Sequence, residues 1–239
     1  MTSIQRIFDI LNSHNIMTKH HFSLQEVFMF GWNKTKQHAW FVVLAAIIIS
    51  IIINAVYFAP LLNLIVTLMV TLSVASLSLQ IVRNHSFTFS DLFTPLLSPL
   101  RVLKFFALLG FYIIPVMLVA LAMALLFFGV QGGSASMTVF GLVMTTLLLI
   151  PSIYITIRFN FFPFVVVEHE HATVPELIRI SYKLTEKNFW SLFLFLLCAA
   201  VLNMLGMLAL GVGLLVTMPV TLLATAYLYD RFKNHETLG

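Results

Sequence analysis

Hydrophobic and polar positions are segregated into long blocks along this chain. Residues 39–82, 105–157 and 188–229 contain no Asp, Glu, Lys, Arg or His, and these blocks are 44, 53 and 42 residues long. A helix needs about 20 apolar residues to cross the hydrocarbon core of a bilayer, so each block is long enough for two crossings and too long for one. The pattern predicts an all-α integral membrane protein with six transmembrane helices.

Each block contains one uncharged break at which the chain can turn back. The breaks are Ala59-Pro60, the loop 129–136, and the segment 206–213 with its three glycines. Proline ends helices and glycine permits the backbone to reverse. The predicted spans are therefore 40–57, 61–82, 105–128, 137–157, 189–208 and 214–229.

The charged residues all fall outside the apolar blocks. The chain has 13 Lys and Arg, nine Asp and Glu and eight His, and the three predicted turns hold none of them. Loops rich in Lys and Arg stay on the cytoplasmic side of a membrane. We therefore expect both termini and every charged segment to be cytoplasmic, with three short neutral loops on the opposite side.

Composition narrows the possible functions. Hydrophobic residues make up 60% of the chain and charged residues 9%, which excludes a water-exposed domain. The net charge of +4 is spread over several segments without a nucleic-acid motif, so we expect contact with anionic lipid headgroups and not with nucleic acid. Cys198 is the only cysteine, so no intrachain disulfide can form.

A short sequence pattern occurs three times in the charged segments. Each copy has a Ser or Thr followed three residues later by an acid, which is the spacing of a helix capping box. An aromatic residue begins a predicted span fourteen positions after each acid. We expect each cap to open a short amphipathic helix in the cytoplasmic interface and each aromatic to anchor a span at headgroup level. The residues are Ser23, Glu26 and Trp40, then Thr88, Asp91 and Phe105, then Thr173, Glu176 and Trp190.

These patterns predict three helical-hairpin repeats within one membrane domain that covers residues 1–239. The units are about 22–85, 87–158 and 172–235, and they follow an N-terminal cytoplasmic amphipathic segment, 1–21. The first and third units match without gaps at a separation of 150 residues, as in Thr35 and Thr185. Units with two crossings each have the same orientation in the membrane, as parallel repeats do. Their common axis is either a packed core or a path.

Polar residues inside the spans have two interpretations. Thr residues recur every four positions and so share one helix face, where they either line a polar path or allow close helix packing. The stripes are Thr67 and Thr71 in the second span and Thr217, Thr221 and Thr225 in the sixth. We expect Asn54 and Asn203, in the first and fifth spans, to form hydrogen bonds between helices.

Metal chemistry and catalysis have little support. The run Glu168-His169-Glu170-His171 is the one segment that resembles a metal site, with His20-His21 on the same side. A catalytic zinc normally needs three well-placed ligands, so we interpret the run as a solvated loop and expect no metal or cofactor. No ionisable residue lies within a predicted span, which leaves no candidate catalytic residue there and disfavours proton or ion coupling.

Four parts of the chain carry a resemblance to a known family. They are RFNFFPFVVVE at 158–168, ISYKLT at 180–185 with KNFW at 187–190, the stretch 23–36 with its Glu26, Gly31 and Trp32, and GVGLLVTMP at 211–219. Together they resemble bacterial polytopic membrane proteins of uncharacterised function, in particular the membrane domain found attached to glycerophosphoryl diester phosphodiesterases. The resemblance implies a bacterial inner-membrane protein with six helices. It carries no phosphodiesterase chemistry, because the catalytic domain of that enzyme is not in this chain.

The sequence therefore predicts a non-enzymatic inner-membrane protein that acts by association. Its partners are expected to be membrane lipids, another protein or a second copy of the chain, in a scaffold, assembly or membrane-organising role. The alternative is a transporter, channel or lipid translocator whose path runs between the three repeats. The two hypotheses differ in whether the repeat axis is dry and packed or polar and open.

Overall fold

The structure is a computed structural model that describes residues 23–56, 58–86, 88–92, 94, 98–107, 110–132, 134–209 and 213–236. The predicted segment 1–21, with His20 and His21, lies outside these residues. The described residues form ten α-helices and a 3₁₀ turn, Phe89–Leu92, and contain no strand. The helices are α1 (Leu24–Gln37), α2 (Ala39–Ala55), α3 (Pro60–Val82), α4 (Pro99–Ala107), α5 (Gly110–Gln131), α6 (Ala135–Arg158), α7 (Phe162–Glu168), α8 (Val174–Glu186), α9 (Phe189–Leu208) and α10 (Leu214–Glu236).

Four segments of the described residues are long and apolar enough to cross a membrane. They are Leu62–Val82, Ile113–Gln131, Ala135–Glu168 and Phe189–Leu208. A fifth is the pair of α1 and α2, if that pair is one span with a bend of 89°. The all-helical class and the presence of several membrane-capable helices are thus confirmed. Helix α10 is outside this set, and its last turns carry Asp230, Arg231 and Lys233.

The third predicted span begins in the wrong place. Sequence patterning started it at Phe105, whereas Phe105 belongs to the separate helix α4 and α5 begins at Gly110. Phe105 is only 2% exposed, and α4 packs against α7. The Phe105 ring therefore contributes to the protein core. Hydrophobicity alone does not distinguish a core residue from a residue of a membrane span.

Helix α10 is the centre of the packing. It contacts α1, α2, α3 and α9, while α3 and α7 pack side by side. The short helix α7 also touches α4 and α8. The core lies where these helices meet, and its largest fully buried side chains include Leu72, Phe161, Phe162, Leu177, Leu192, Phe195, Leu228 and Tyr229.

Helix α1 packs on α10 through a face of small and apolar residues. Leu24, Val27, Phe28 and Gly31 are spaced three or four apart, which places them on one side of the helix. A Cβ atom at Gly31 would overlap the Val220 carbonyl oxygen and would lie 3.2 Å from Ala224 Cβ. Close approach of the two helices therefore depends on the missing side chain. Trp32, on another side of α1, is 43% exposed.

Helices α5 and α6 form a hairpin along a seam of small residues. Pro115, Ala122 and Gly129 are buried at seven-residue intervals on α5. Hydroxyl groups of α6 donate to the carbonyl oxygens of these three residues, from Ser152 at 3.1 Å, Thr145 at 2.9 Å and Thr138 at 3.1 Å. Small residues and interhelical hydrogen bonds are typical of helix contacts in lipid, where burial of apolar surface gives no driving force. The hairpin joins the other helices through α6, which touches α8 and α9.

The contact at Gly31 gives a test of the packing. We expect Gly31→Ala to destabilise the protein by about 1–3 kcal/mol, because overpacking a tight contact forces the backbones apart. The measurement is thermal unfolding of the purified protein in one detergent. The matched control is Gly110→Ala, since a Cβ at Gly110 would meet no atom within 4 Å. Equal melting temperatures for the two variants would contradict the close contact of α1 with α10.

Candidate functional site

The segment Phe162–Glu168 forms the buried helix α7, which places Glu168 among charged residues of two other helices. Pro163 lies in the first turn, where a missing N–H has no cost, and the residues from Phe162 to Val166 are buried. The interpretation of 168–171 as a solvated loop was wrong for Glu168. Its side chain is only 10% exposed, because the apolar residues before it draw the end of α7 into the core.

The Glu168 carboxylate binds three donors from α10 and from the end of α3. Its Oε2 accepts from the Tyr229 hydroxyl at 2.6 Å and from Lys233 Nζ at 2.8 Å. Its Oε1 lies 2.5 Å from Nη2 of Arg83, which also donates to Asp230 Oδ1 at 2.6 Å. Two cations and two anions are thus paired in one cluster. We name Arg83, Glu168, Tyr229, Asp230 and Lys233 the Glu168 cluster.

A second ion pair fastens α1 to α10. Glu26 Oε1 accepts from the Tyr227 hydroxyl and from Arg231 Nη1, both at 2.8 Å. Lys34 lies nearer the C-terminal end of α1 and donates to the side-chain oxygen of Asn84 at the end of α3. The acid that the sequence suggested as a cap therefore also links two helices.

A third group of contacts holds α4 near the segment that follows α7. Glu170 Oε2 lies 2.6 Å from Arg101 Nη2, and Glu170 also accepts a hydrogen bond from Ser98. The hydrogen bond from Ser98 and the charge of Arg101 lower the pKa of Glu170 against a smaller opposing effect of burial. Lys104 donates to the Glu170 backbone oxygen. Glu168 and Glu170, the two acids of the run that resembles a metal site, are thus partners of cations.

Metal ligation has no geometric basis in the described part of the chain. No group of three or more His, Cys, Asp or Glu there is placed to hold a metal ion. His169 and His171 follow Glu168 and Glu170 directly, but their neighbouring carboxylates are bound to Arg83, Lys233 and Arg101. His20 and His21 lie outside the described residues.

The three predicted caps differ in structure. Glu176 Oε2 accepts from the Thr173 backbone N–H at 2.7 Å, which completes a capping box and lowers the pKa of Glu176. Asp91 Oδ2 likewise accepts from Thr88 N–H at 2.6 Å, but a 3₁₀ turn follows in place of an α-helix. The sequence has prolines at 95 and 99, and proline interrupts an α-helix. Ser23 precedes α1 without a side-chain capping bond.

The predicted anchors also divide. Trp40 and Trp190 lie in the first turns of α2 and α9 and are 79% and 73% exposed, whereas Phe105 is buried. Exposed aromatic rings at helix ends are compatible with the headgroup level of a membrane. Phe105 departs from that expectation, since it contacts protein and not lipid.

Most described threonines of the stripes bond to their own helices. Thr71 donates to the Thr67 carbonyl at 2.8 Å, Thr225 to Thr221 at 2.7 Å, and Thr221 to Met218 at 2.9 Å. Bonds to the preceding turn satisfy these hydroxyls without a solute. Thr217 Oγ1 is buried and has no hydrogen-bond partner among the described residues.

The two asparagines behave differently from each other. Asn203 Nδ2 reaches Thr221 Oγ1 of α10 at 3.4 Å, an interhelical contact as expected. Asn54 does not form the interhelical bond that was expected, because its Nδ2 donates to the Ser50 carbonyl of its own helix at 2.7 Å. One turn of α2 is enough to satisfy that amide group.

Sequence reasoning did not single out Arg83, Asp230 or Lys233. A signal was present, because Arg83 is the first charge after the second predicted span and Asp230 is the first after the sixth predicted span. Two adjacent spans that end on one side bring such charges together. What patterning could not supply is that α3 and α10 are adjacent and that Glu168 lies against them.

Comparisons of the chain with protein-family models, with curated proteins and with solved structures found no match. The resemblance to membrane domains attached to glycerophosphoryl diester phosphodiesterases therefore stays a prediction.

The Glu168 cluster predicts that removal of one negative charge strongly lowers the stability of the protein. We expect Glu168→Gln to destabilise the protein by about 3 kcal/mol, because it leaves Arg83 and Lys233 without their shared anion. The control is Glu186→Gln on exposed α8, which should change stability by less than about 0.5 kcal/mol. Unfolding of both variants in mixed micelles measures the difference, and equal stabilities would show that the cluster is dispensable.

Proposed function

We propose that this chain is a multi-pass membrane protein that acts by association with a protein partner or with membrane lipids. The observation that carries the proposal is the surface of the α5–α6 hairpin. Only 17% of the apolar part of each of the spans Ile113–Gln131 and Ala135–Glu168 is buried, against 50% for Leu62–Val82. The hairpin thus offers two apolar sides to its surroundings.

The exposed side chains of this hairpin are large. Met117, Phe127, Phe128, Val139 and Phe140 are each between 56% and 70% exposed. An extended apolar surface within a bilayer fits lipid chains or the helices of another protein. The α5–α6 seam buries Ala122 and Gly129, whereas these large side chains stay exposed on the outer sides, where they can make such contacts.

The charged end supports a non-enzymatic role. Among acids whose side chains the structure describes, all except Glu186 accept a hydrogen bond or ion pair from another residue. Carboxylates held by Arg, Lys or backbone N–H groups stay ionised and are poor proton acceptors. Glu26, Glu168, Glu170 and Asp230 link separate segments, whereas Asp91 and Glu176 cap local turns, so each of these acids already has a structural partner.

We also propose six spans, three repeats and cytoplasmic termini in a bacterial inner membrane. Helices α1 and α8 begin at Leu24 and Val174, and α2 and α9 begin at Ala39 and Phe189, so the starts are 150 positions apart in both pairs. Thr35 donates to the Gly31 carbonyl at 2.8 Å, as Thr185 does to that of Ser181 at 3.1 Å. These equivalences support a common origin of the first and third units.

The six-span proposal predicts the accessibility of three turns. In a Cys198→Ser background, single cysteines replace Phe58, Ser136 and Ala209, all exposed in the described turns or helix ends. A membrane-impermeant maleimide should label all three in intact cells. A cysteine at Lys183 is the control and should react only after permeabilisation. Failure of the reagent to label position 58 or 209 in intact cells would indicate fewer than six spans.

Photo-crosslinking from native membranes tests association directly. A photoreactive phenylalanine at Phe127 or Phe140 samples the hairpin, and the same group at Ile51, 63% exposed on α2, is the control. We expect a discrete protein or one enriched lipid at the hairpin positions and bulk lipid at Ile51. Bulk lipid at all three positions would contradict the proposal.

The alternative is a transporter, channel or lipid translocator. Asn203 Oδ1 and Thr217 Oγ1 favour it, because both are buried polar atoms without a hydrogen-bond partner among the described residues. Such atoms are available to a polar solute between α9 and α10. Bulk lipid alone at the hairpin, followed by solute flux in liposomes that Thr217→Val abolishes, would establish this alternative.

A further inference from the structure

Arg158 is a buried cation at the end of the α5–α6 hairpin. It is the last residue of α6, where the chain leaves the hairpin for the buried helix α7, and it is only 8% exposed. Its backbone oxygen accepts a hydrogen bond from Ser181 of α8 at 3.0 Å, which fixes the end of α6 against that helix. The guanidinium is therefore held by its surroundings at a defined place.

Three aromatic rings surround this guanidinium. Its central carbon lies 4.4 Å from the ring centre of Tyr182, 5.1 Å from that of Tyr154 and 5.3 Å from that of Phe189. Arginine stacks on aromatic faces in this manner, and the rings partly offset the loss of water around the charge. Helices α6, α8 and α9 each contribute one ring.

The charge of Arg158 has no anion. The atoms Nε and Nη1 are buried and have no hydrogen-bond partner, and no carboxylate of the described residues forms an ion pair with the group. Glu186 of α8 forms no ion pair with the guanidinium among the described residues. The guanidinium interacts with the Tyr154 hydroxyl. Buried N–H donors of a cation are normally paired, so Nε and Nη1 still lack an acceptor. Two positions on, Asn160 Nδ2 is a further buried donor that has no hydrogen-bond partner in the described part of the chain.

We propose that Arg158 binds the phosphate group of an anionic membrane phospholipid, with Tyr154 and Tyr182 as movable walls of the site. The proposal rests on the membrane-spanning arrangement given above, which puts the end of α6 at headgroup level. Phosphate oxygens match the planar donors of a guanidinium in pairs. Basic pockets between transmembrane helices on the cytoplasmic side suit anionic headgroups.

The tyrosines leave room for such a ligand to enter. Tyr154 and Tyr182 are 42% and 39% exposed, so both side chains can be reached from outside the protein. A headgroup that displaces one ring reaches the unpaired nitrogens and meets a phenolic hydroxyl that can donate to phosphate. Free inorganic phosphate has the same chemistry, but it lacks the acyl chains that fit the exposed apolar sides of α5 and α6.

Native mass spectrometry of the full-length protein, titrated with lipid, tests the site. The probes are phosphatidylglycerol and phosphatidylcholine with the same acyl chains. We expect the wild type to bind one phosphatidylglycerol about tenfold more tightly than phosphatidylcholine. Arg158→Gln should remove most of this preference, and Arg158→Lys should retain only part of it, because a lysine keeps the charge but not the planar donors.

Arg179→Gln is the matched control, since it removes one positive charge from exposed α8 on the same side. It should leave the preference unchanged. An equal loss in both variants would overturn the proposal in favour of general attraction between charges. If Arg158→Gln fails to fold, the lipid preferences of the wild type and of Arg158→Lys test the proposal instead. A wild type that binds both lipids equally would overturn the proposed site.

A parallel arm separates the two sources of phosphate. Thermal unfolding of the wild type in detergent is measured with inorganic phosphate and with phosphatidylglycerol. Stabilisation by the lipid alone supports the proposal, and stabilisation by inorganic phosphate alone overturns the lipid source. Specific crosslinks at the hairpin without a preference for phosphatidylglycerol would contradict the lipid site at Arg158 and would still support the proposed function.

Discussion

The carboxylate of Glu168 is the interaction on which the charged end of the molecule depends. It accepts from Tyr229 and Lys233 on α10 and from Arg83 at the end of α3, while it sits at the end of α7. Desolvation of partly buried charges offsets most of their mutual attraction, so the cluster adds little net stability for its number of contacts. Its effect is positional, because α7 cannot slide without breaking the contacts of Glu168 with Arg83, Tyr229 and Lys233. The buried residues Phe161 to Val166 then fill the space between α3, α4 and α8.

The apolar part of the molecule is held by different forces. Charges are absent there, and helices meet through close backbone contacts such as that of Gly141 with Leu125, and through hydroxyl groups that donate to carbonyl oxygens. These contacts rely on van der Waals packing and hydrogen bonds, since lipid chains are as apolar as leucine. The α5–α6 seam has both devices at seven-residue intervals, which explains how a hairpin with little burial elsewhere keeps its register. Electrostatic fastening at one end and small-residue packing along the spans together define the fold.

Sequence patterning predicted the parts of this structure that depend on local chemistry. Helix bounds such as Phe189–Leu208 follow from apolar length, and the capping box at Thr173 follows from the spacing of two residues. It failed where a neighbour decides the outcome. Phe105 has the hydrophobicity of a span residue, and only its contact with the rest of the core gives it a place in α4. Glu168 has the sequence surroundings of a loop, and only the adjacency of α3 and α10 supplies its partners. The composition of RFNFFPFVVVE indicates burial, but it cannot indicate which helices cover it.

Arg83 and Arg158 show two solutions to one problem. Arg83 directly follows α3 and Arg158 is the last residue of α6, so each lies at the end of a long apolar helix. Arg83 meets two carboxylates, whereas Arg158 meets three aromatic rings. Burial of an ion costs several kcal/mol even after relaxation. A cation–π contact contributes about 2 kcal/mol or more when water is excluded, but a ring face leaves N–H donors without hydrogen-bond acceptors. The rings therefore stabilise the guanidinium in place but leave part of that cost uncompensated, and an external anion recovers the difference. Arg83 has no such deficit, so the same residue type fastens helices at one position and is left able to bind a ligand at the other.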